Sequence, residues 1–535
     1  MEGQLKAGWR SKAAVALAVA GVLALGGMTG LTARAAQPGY GNIDGAKKGS
    51  IIIHKHEHQS GTSEIAKPDG SVNLTSPGIN GVTFTIYRIT DLDLTVSAGW
   101  DQLAKLNAPR QVEDGATSAD FPDKDDPGTT TPHGLTSVMS VTTAGTDGSG
   151  NPQGVATASS LPVGAYLVVE TGRPSGVIDS APPYIVTIPF PDKGVGASNG
   201  WLYDVETYPK NSVATITKGV NPQQGLGLGS TATYTVTATV PRLAGDAAFQ
   251  SYEITDEADA RYVSDPDVKA VKVEGAALTK DRDYTVTVSG SKVTMSLTSA
   301  YLAGLKAHAD KQVVVTFSAK VIKVPADGDI QDKATLGVRD DKAHSVTDPV
   351  VTADQYWGDA RIFKVDGGDS AKAAGLAGAR FKVYPAKTPY PSAGASCEAT
   401  VADGAQPISV TPSDGATPVT EFETAADGTV LIPGLFVSDS SNDPVAVTQR
   451  CYVLQEVKAP AGYTLPTGNA AYTALVVNKG ANATSVRDVT IENTKRNGPD
   501  LPLTGSAGAV LLTLLGLALL GGGLAVVMVK RSRAR

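Results

Sequence analysis

The sequence has few of the features that mark the common enzyme and nucleic-acid-binding classes. Aromatic residues make up only 6% of the 535 positions, there are two cysteines, and the formal net charge of -7 comes without a basic block in the middle of the chain. Without such a block, nucleic-acid binding has no electrostatic support. A nucleophile elbow, a metalloprotease helix and a phosphate-binding glycine loop are also missing. The sequence therefore predicts neither an enzyme nor a cofactor site.

Glycine, proline and short alternating segments are abundant, with 58 glycines and 32 prolines in the chain. Between residues 231 and 240, five threonines alternate with apolar residues. A period of two places the threonines on one face and the apolar side chains on the other, as in a half-buried antiparallel strand. Similar runs at 82–89, 284–288, 313–321 and 471–477 are separated by turn residues. This pattern predicts an all-β chain of about three β-sandwich domains.

The first 35 residues have the layout of a secretion signal. Lys6, Arg10 and Lys12 precede an apolar run at 13–25, and Ala33-Arg34-Ala35 follows as a small-x-small cleavage site. We interpret residues 1–35 as a signal peptide that is removed on export. The alternative, a signal anchor that stays in the membrane, is disfavoured because the apolar run is short and interrupted by glycine.

The C-terminal segment, residues 498–535, has three parts in a fixed order. These are Leu501, Pro502, Leu503, Thr504 and Gly505, then an apolar run at 507–529 that is long enough for a transmembrane helix, then a basic tail at 530–535. This order resembles the LPxTG cell-wall sorting signal that sortases read, and the alternative is an ordinary single-span membrane protein. The resemblance implies that a sortase cysteine attacks the carbonyl of Thr504, releases the chain from Gly505 onward and holds a thioacyl intermediate until an amine resolves it.

Residues 201–210, Trp-Leu-Tyr-Asp-Val-Glu-Thr-Tyr-Pro-Lys, resemble the pilin motif of sortase-assembled shaft subunits, W-x3-V-x-V-Y-P-K. Thr207 departs from the valine that is frequent in the family but has a similar β-branched shape. The resemblance implies that Lys210 is the amine that resolves the thioacyl intermediate on Thr504 of another subunit. The alternative is an edge strand that ends in Tyr-Pro-Lys, which Pro209 suits because proline cannot donate to a ladder.

Two segments of the chain are similar to each other. Residues 164–170 and 451–456 both place a tyrosine, an aliphatic residue and a glutamate at alternate positions, ending at Glu170 and Glu456. The second segment continues to Tyr463 in a pattern that resembles the E-box of CnaB-type immunoglobulin-like domains. The resemblance implies three tandem CnaB-type β-sandwich domains, at 36–211, 212–357 and 358–497.

In the third domain, the resemblance implies an intramolecular isopeptide bond between Lys364 and Asn493. Lys364 shares a strand face with Ile362, and Asn493 shares one with Ile491, so both are expected to point inward. Glu456 is the implied acid, because burial favours a neutral amine and a protonated carboxyl group. Such an acid can carry protons as ammonia leaves. The alternative is a hydrogen-bonded cluster of the three side chains without a covalent bond.

The middle domain contains a variant of this set. Lys218, Asp256 and Asp332 all fall on apolar strand faces. The resemblance implies a bond between Lys218 and Asp332, with Asp256 as the acid, although the family usually has asparagine where Asp332 stands. A lysine–aspartate bond would release water rather than ammonia, and the alternative is a buried ion-pair cluster.

The first domain offers Lys55, Glu170 and Asn211 in the corresponding positions. Because neighbouring strand residues face opposite sides, Asn211 can point inward while Lys210 points outward. Some members of the family leave their first domain unlinked, so a Lys55–Asn211 bond and an unlinked domain both stay open.

His54, His56 and His58 alternate with Lys55 and therefore share the opposite strand face. Imidazole is a common metal ligand, which makes a metal site the alternative interpretation. We expect a solvated stripe of histidines instead, and no metal.

The two cysteines, Cys397 and Cys451, both fall in the third domain. An even count in a secreted protein favours a disulfide, and two cysteines allow a single pairing. We expect the bridge to tie a loop to the strand that carries Glu456. The alternative is a pair of free thiols.

As a whole, the chain resembles the fimbrial shaft subunits of oral actinomycetes, which share its three-domain layout and single disulfide. The resemblance implies a cell wall-anchored fimbria on a Gram-positive surface that supports adhesion and biofilm formation. The partners that it implies are a pilus-specific class C sortase, identical subunits joined head to tail, tip and base pilins, a housekeeping sortase with peptidoglycan, and host surface receptors. The alternative is a monomeric wall-anchored adhesin that uses the same sorting signal but leaves Lys210 unlinked.

Overall fold

The computed structural model describes residues 42–496, apart from gaps at 59–66, 71–73, 75, 192–199, 244–246, 343–344, 348–349, 370, 372–373, 393, 413–415 and 482–486, and also describes Thr513 and Leu517. The predicted signal peptide and the predicted sorting motif at 501–505 lie outside the described residues. Within the part of the chain that is described, no helix is long and apolar enough to cross a membrane.

The described chain begins with thirteen strands: β1 (Gly49–His54), β2 (His56–Glu57), β3 (Thr83–Ile89), β4 (Ser118–Pro122), β5 (Thr130–Thr142), β6 (Ala144–Thr146), β7 (Pro152–Leu161), β8 (Gly164–Gly172), β9 (Tyr184–Ile188), β10 (Phe190–Pro191), β11 (Trp201–Leu202), β12 (Asp204–Thr207) and β13 (Lys210–Asn211). One sheet has the order β12-β1-β7-β6 and another has the order β4-β5-β3-β8-β9. Ile53, Phe84 and Tyr166 are fully buried in the core that these strands share. Strand β1 is antiparallel to β7 and parallel to β12, so residues near 205 lie beside the start of the described chain.

The next ten described strands are β14 (Ile216–Val220), β15 (Thr231–Thr239), β16 (Phe249–Ala258), β17 (Val263–Val273), β18 (Ala276–Ala277), β19 (Tyr284–Ser289), β20 (Lys292–Leu297), β21 (Gln312–Val321), β22 (Asp329–Asp340) and β23 (Ser345–Val346). One sheet has the order β14-β15-β21-β17-β18. Strand β15 follows the alternation of its sequence, since Ala232, Tyr234, Val236 and Ala238 are buried and the threonines between them are not. The hydrophobic effect on one face thus sets the register of this sheet.

The last seven described strands are β24 (Val350–Asp366), β25 (Arg380–Pro385), β26 (Phe422–Glu423), β27 (Thr429–Asp439), β28 (Gln449–Lys458), β29 (Tyr472–Asn478) and β30 (Val489–Asn493). Strands β26-β25-β28-β29 form one sheet in that order. Strand β24 pairs antiparallel with β27 and parallel with β30, so the first and last strands of this group are neighbours.

Helices are short in the described chain. They are α1 (Ser97–Leu103), α2 (Ser299–Leu305), and two 3₁₀ turns at Lys306–His308 and Gly468–Ala471. The Thr298 hydroxyl caps α2 by accepting from the Tyr301 N–H. The chain is therefore all-β, as predicted.

Strand β24 joins the middle and C-terminal strands into one body. It is 17 residues long and lies in an eight-stranded sheet whose main path is β19-β20-β16-β22-β24-β27. Its Trp357 is fully buried and packs edge to face on Phe436, with ring centroids 5.6 Å apart. A single apolar cluster runs from Tyr234 on one side to Leu475 on the other. The strand is thus continuous through the position where the sequence suggests a boundary, at 357–358.

Candidate functional site

Lys55, Glu170 and Asn211 meet in the N-terminal core. The lysine directly follows β1, while Glu170 lies in β8 and Asn211 in β13. The Lys55 amine donates to the Asn211 amide oxygen and lies 2.9 Å from Glu170 Oε2. The Asn211 amide nitrogen donates to Glu170 Oε1 at 2.8 Å. Since the side chains of Lys55 and Glu170 are 0% and 1% exposed, the three groups form a closed triangle away from water.

Lys364, Glu456 and Asn493 form the same triangle in the C-terminal core. Lys364 Nζ lies 2.5 Å from Asn493 Oδ1 and 2.9 Å from Glu456 Oε2. Asn493 Nδ2 donates to Glu456 Oε1 at 2.6 Å. The lysine lies in β24 and the asparagine in the parallel neighbour β30, so the contact joins the first and last strands of the group.

The two lysines are also held by equivalent backbone contacts. The Lys55 N–H donates to the Gly154 carbonyl at 2.8 Å, and the Lys364 N–H donates to the Gly428 carbonyl at 2.9 Å. Gly154 has φ +67° and Gly428 has φ +77°. A Cβ on Gly154 would lie 2.2 Å from the Lys55 carbonyl oxygen, so only glycine fits. Sequence reasoning missed both glycines, although Gly154 lies within β7, where a glycine signals close backbone approach.

An aromatic ring faces each of these lysines. Lys55 Nζ lies 5.8 Å from the centroid of the Phe84 ring, and Lys364 Nζ lies 5.9 Å from that of Phe381. Both phenylalanines are fully buried, in β3 and β25 respectively. They close the lysine pockets against solvent and were also missed from the sequence, where they look like ordinary core residues.

Burial lowers the pKa of both Lys55 and Lys364, and the carboxyl groups of Glu170 and Glu456 oppose that shift. A lysine with a lowered pKa reaches its neutral, nucleophilic form at a lower pH than an exposed one. In each triangle, an amine, a carboxyl group and a carboxamide lie within hydrogen-bond distance of one another. This arrangement can support general acid–base catalysis of amide exchange.

The middle cluster combines Lys218 with two aspartates. Lys218 Nζ contacts Asp256 Oδ1 and lies 2.8 Å from Asp332 Oδ1, and the side chains of Lys218 and Asp332 are fully buried. Burial and the charge of Asp332 raise the pKa of Asp256 to about 8, and burial also raises the pKa of Asp332. The ring of Tyr234 faces the amine, with its centroid 4.6 Å from Nζ. The cluster therefore holds a carboxyl group in its acid form near neutral pH.

Residues 204–211 follow β1 and β2 in a single parallel register. Ile53 in β1 pairs with Thr207 in β12, and His56 in β2 pairs with Lys210 in β13 at the same offset. Along the segment 201–211, Trp201 and Val205 are buried in the N-terminal core. At its end, Asn211 is fully buried whereas the preceding Lys210 is only half-buried. Neighbouring strand residues point to opposite sides, so the two residues divide between core and surface.

Thr207, the departure from the expected valine, has a contact of its own. Its hydroxyl lies 3.0 Å from the hydroxyl of Tyr184 in the neighbouring β9. A valine could fill the same space but could not make this hydrogen bond. The β-branched shape is kept and a polar contact is added.

Cys397 and Cys451 form the predicted disulfide, with their Cα atoms 5.6 Å apart. Cys451 lies in β28, the strand that carries Glu456, and Cys397 lies in the loop before β26. Cys451 packs with Ala386 and Val453 in a small apolar cluster of its own. The disulfide ties the loop to the strand, as the sequence suggests.

Three family models match the chain: Gram-positive pilin subunit D1, N-terminal domain, at residues 46–212; Sgo0707 N2 domain at 211–353; and LPXTG cell wall anchor motif at 493–534. The fimbrial subunit type 2 of Actinomyces naeslundii is 35% identical to the chain, over 97% of this chain and 96% of its own length. The chain belongs to the sortase-assembled shaft pilins. This pilin is a subunit of a cell wall-anchored surface fimbria, and the predictions of family and location are confirmed.

Other relatives of this pilin agree with the assignment. The fimbrial subunit type 1 of Actinomyces viscosus is 28% identical over 97% of each chain. The full-length major pilin SpaD from Corynebacterium diphtheriae has a TM-score of 0.55 and 26% identity, and the match covers 86% of this pilin and all of SpaD. The similarity therefore extends along nearly the whole chain rather than over one module.

In this pilin, His54, His56 and His58 are half-buried and are not the solvated stripe that the sequence suggests. Each contacts an acceptor: His54 Nε2 with Glu206 at 2.7 Å, His56 Nδ1 with the Ser76 carbonyl at 2.6 Å, and His58 Nε2 with Asp179 at 3.7 Å. Segments near residues 68 and 77 cover this face of β1 and β2, which strand alternation alone could not reveal. Within the described ranges, no group of three or more His, Cys, Asp or Glu residues is arranged to hold a metal ion.

Proposed function

We propose that the fimbria grows by an amide bond between the Thr504 carbonyl of one subunit and the Lys210 amine of the next. Sortase would break the Thr504–Gly505 bond and hold a thioester, and Lys210 Nζ would displace the sortase thiol. The observation that carries this proposal is the alternation at the end of the pilin motif, where Asn211 fills the core and Lys210 is half-exposed. A lysine at a strand end after Pro209 can enter an enzyme cleft without breaking a ladder.

The partners in this scheme are a pilus-specific class C sortase and identical subunits joined head to tail. Tip and base pilins would occupy the ends of the fibre, and a housekeeping sortase would transfer the finished fibre to peptidoglycan. Host surface receptors are the proposed targets of adhesion, with biofilm formation as a consequence. The only chemistry of the subunit itself in this proposal is directed at its own side chains and occurs once, so the chain has no role as an enzyme.

The three buried clusters would form internal isopeptide bonds. In the third cluster, Lys364 Nζ attacks Asn493 Cγ, the Cγ–Nδ2 bond breaks and ammonia leaves. Glu456 takes a proton from Nζ and delivers one to Nδ2, so it ends as it began. The same scheme applies to Lys55 and Asn211 with Glu170. Its support is the hydrogen-bonded contact of all three groups in both triangles.

In the middle cluster, Lys218 Nζ would attack the Asp332 carboxyl carbon and water would leave, with Asp256 as the acid. The buried contacts of Lys218 with both aspartates support this assignment. Three domains at 36–211, 212–357 and 358–497 would then each carry one internal bond. The proposed load path runs from Lys210 to Thr504, and the bonds in the second and third domains would bear tension along it without strands unzipping.

Mass spectrometry of fibres sheared from cells tests the intersubunit bond. We expect a branched tryptic peptide that joins Lys210 to Thr504, and a Lys210→Arg variant that stays monomeric but is still attached to the wall. Lys269→Arg is the matched control, since Lys269 lies in β17 with 52% of its side chain exposed, outside the pilin motif. Fibres that persist in Lys210→Arg at the wild-type length would contradict the proposal.

A further inference from the structure

Tyr208, two residues before Lys210, is clamped between His54 and Glu206. We infer that this clamp positions Lys210 for sortase, and the inference rests on the proposed role of Lys210 as the acceptor amine. Tyr208, Glu206 and His54 are then positioning residues for the intersubunit bond. Neither the pilin-motif resemblance nor the buried clusters assign a function to His54 or Glu206.

The clamp is built from three contacts around one carboxylate. The Tyr208 hydroxyl donates to Glu206 Oε2 at 3.0 Å, and His54 Nε2 lies 2.7 Å from the same oxygen. The rings of His54 and Tyr208 are stacked, with centroids 5.0 Å apart and planes inclined by 16°. Because the phenol has both a stacking partner and an acceptor, its ring has little freedom to rotate.

The surrounding backbone holds the carboxylate in place. The Glu206 N–H donates to the Pro68 carbonyl at 2.9 Å, and Gly70, with φ +76°, lies against the carboxylate. A Cβ on Gly70 would lie 2.5 Å from Glu206 Oε1. The side chains of His54 and Glu206 are each 24% exposed. Burial and the Glu206 carboxylate raise the pKa of Tyr208, so its hydroxyl is retained as the donor.

The segment needs such a clamp because its backbone ladder is interrupted. Strand β12 ends at Thr207 and β13 begins at Lys210, and Pro209 between them has no N–H to donate. Only its carbonyl takes part, accepting from the His56 N–H at 3.2 Å. Side-chain contacts of Tyr208 therefore replace ladder contacts immediately before the reactive lysine. A nucleophile held in one direction reacts faster than one that samples many.

The test measures two steps separately in the same protein. One is cleavage at Thr504 by sortase, and the other is attack by the Lys210 amine on the resulting thioester. The mature chain is incubated with a class C sortase that polymerises it, and the Lys210–Thr504 peptide is quantified over time. In parallel, hydroxylamine replaces the lysine and reports the cleavage at Thr504 alone. The variants are Glu206→Ala, which removes the carboxylate that Tyr208 and His54 both contact, Glu206→Gln, which restores an acceptor oxygen for the Tyr208 hydroxyl, and Tyr208→Phe, which keeps the ring stack.

A matched control lies elsewhere in the chain. His308 Nδ1 lies 2.8 Å from Glu274, and the His308 ring is stacked on Tyr301 of α2, so this trio shares the His–Glu contact and the His–Tyr stack of the clamp at a site far from Lys210 in sequence. Glu274→Ala should change neither step. Melting temperatures of all variants are measured alongside, so that a loss of folding is recognised.

We expect Glu206→Ala to slow formation of the Lys210–Thr504 bond about tenfold and Tyr208→Phe to slow it about threefold. Glu206→Gln should recover most of the rate. The hydroxylamine reaction should be unchanged in all three variants. Wild-type rates in Glu206→Ala would overturn the clamp while leaving Lys210 as the acceptor. An equal fall in both steps would also overturn it, because it would indicate a structural role. If Lys210→Ala polymerises like the wild type, the proposed function itself fails, and the clamp with it.

Discussion

Replacement of Glu456 by glutamine should prevent the proposed Lys364–Asn493 bond without leaving a cavity in the core. Glutamine fills the same volume and can still accept from Lys364 Nζ and face Asn493. It cannot carry a proton from the amine to the departing ammonia, which is the proposed role of the carboxyl group. The third domain should therefore fold with all three side chains in contact and retain the ammonia that the proposed bond would release.

The loss of stability that we expect in Glu456→Gln depends on the length of chain that the proposed bond closes into a loop. Lys364 and Asn493 are 129 residues apart, and the chain-entropy model gives about 5 kcal/mol for a loop of that length. The disulfide lies inside that loop and joins residues 54 apart, which leaves a free loop of about 75 residues and lowers the figure to about 4.5 kcal/mol. The expected loss in the free energy of unfolding of the third domain corresponds to roughly a thousandfold change in its unfolding equilibrium.

Intact mass and native-state hydrogen exchange measure the two parts of this prediction. Peptides from β24 and β30 should lose protection by about three orders of magnitude in Glu456→Gln, since the bond joins these strands. Glu492→Gln is the matched control, because Glu492 is the exposed neighbour of Asn493 on the same strand. Loss of one ammonia from the third domain of Glu456→Gln, or wild-type protection of β30, would refute the reasoning.

Asp256→Asn should leave Lys218 and Asp332 unlinked, and an intact mass that still lacks one water from the middle domain would contradict this. Because burial and Asp332 raise the pKa of Asp256 from 3.8 to about 8, its acid form persists up to that pH. Formation of the middle bond in a freshly refolded chain should therefore slow above about pH 8, and a rate that keeps rising with pH would count against the acid role. Removal of the disulfide by Cys397→Ser and Cys451→Ser should cost up to about 4 kcal/mol in third-domain unfolding while ammonia is still lost from Asn493, as denaturation and intact mass would report. Gly154→Ala should destabilise the first domain by about 1–3 kcal/mol, because φ is +67° there and the new Cβ meets the Lys55 carbonyl oxygen, and unchanged denaturation would contradict that strain.

Strand alternation explains which parts of the site could be predicted from the sequence and which could not. Inward positions of Lys364, Glu456 and Asn493 follow from a period of two, because each shares a strand face with an apolar residue two positions away. The opposite directions of Lys210 and Asn211 follow in the same way. The histidine face was predicted wrongly because alternation says which side of a strand a residue takes, but not what covers that side. Residues outside β1 and β2 cover part of it here, so His54 contacts Glu206 and keeps only 24% of its side chain exposed.

The sequence by itself determined the all-β class, the candidate lysines with their acids, and the family, because each depends on local periodicity or on a contiguous motif. The tertiary structure alone decided which groups touch. It places the carbonyls of Gly154 and Gly428 against the backbone N–H groups of the two lysines. It also places the Phe84 and Phe381 rings near the lysine amines, and the Tyr208 clamp beside Lys210. It also carried β24 unbroken from the middle strands into the last group. These contacts join residues distant in sequence, and their pairing depends on the order of strands in the sheets, which the side-chain pattern of a single strand does not encode.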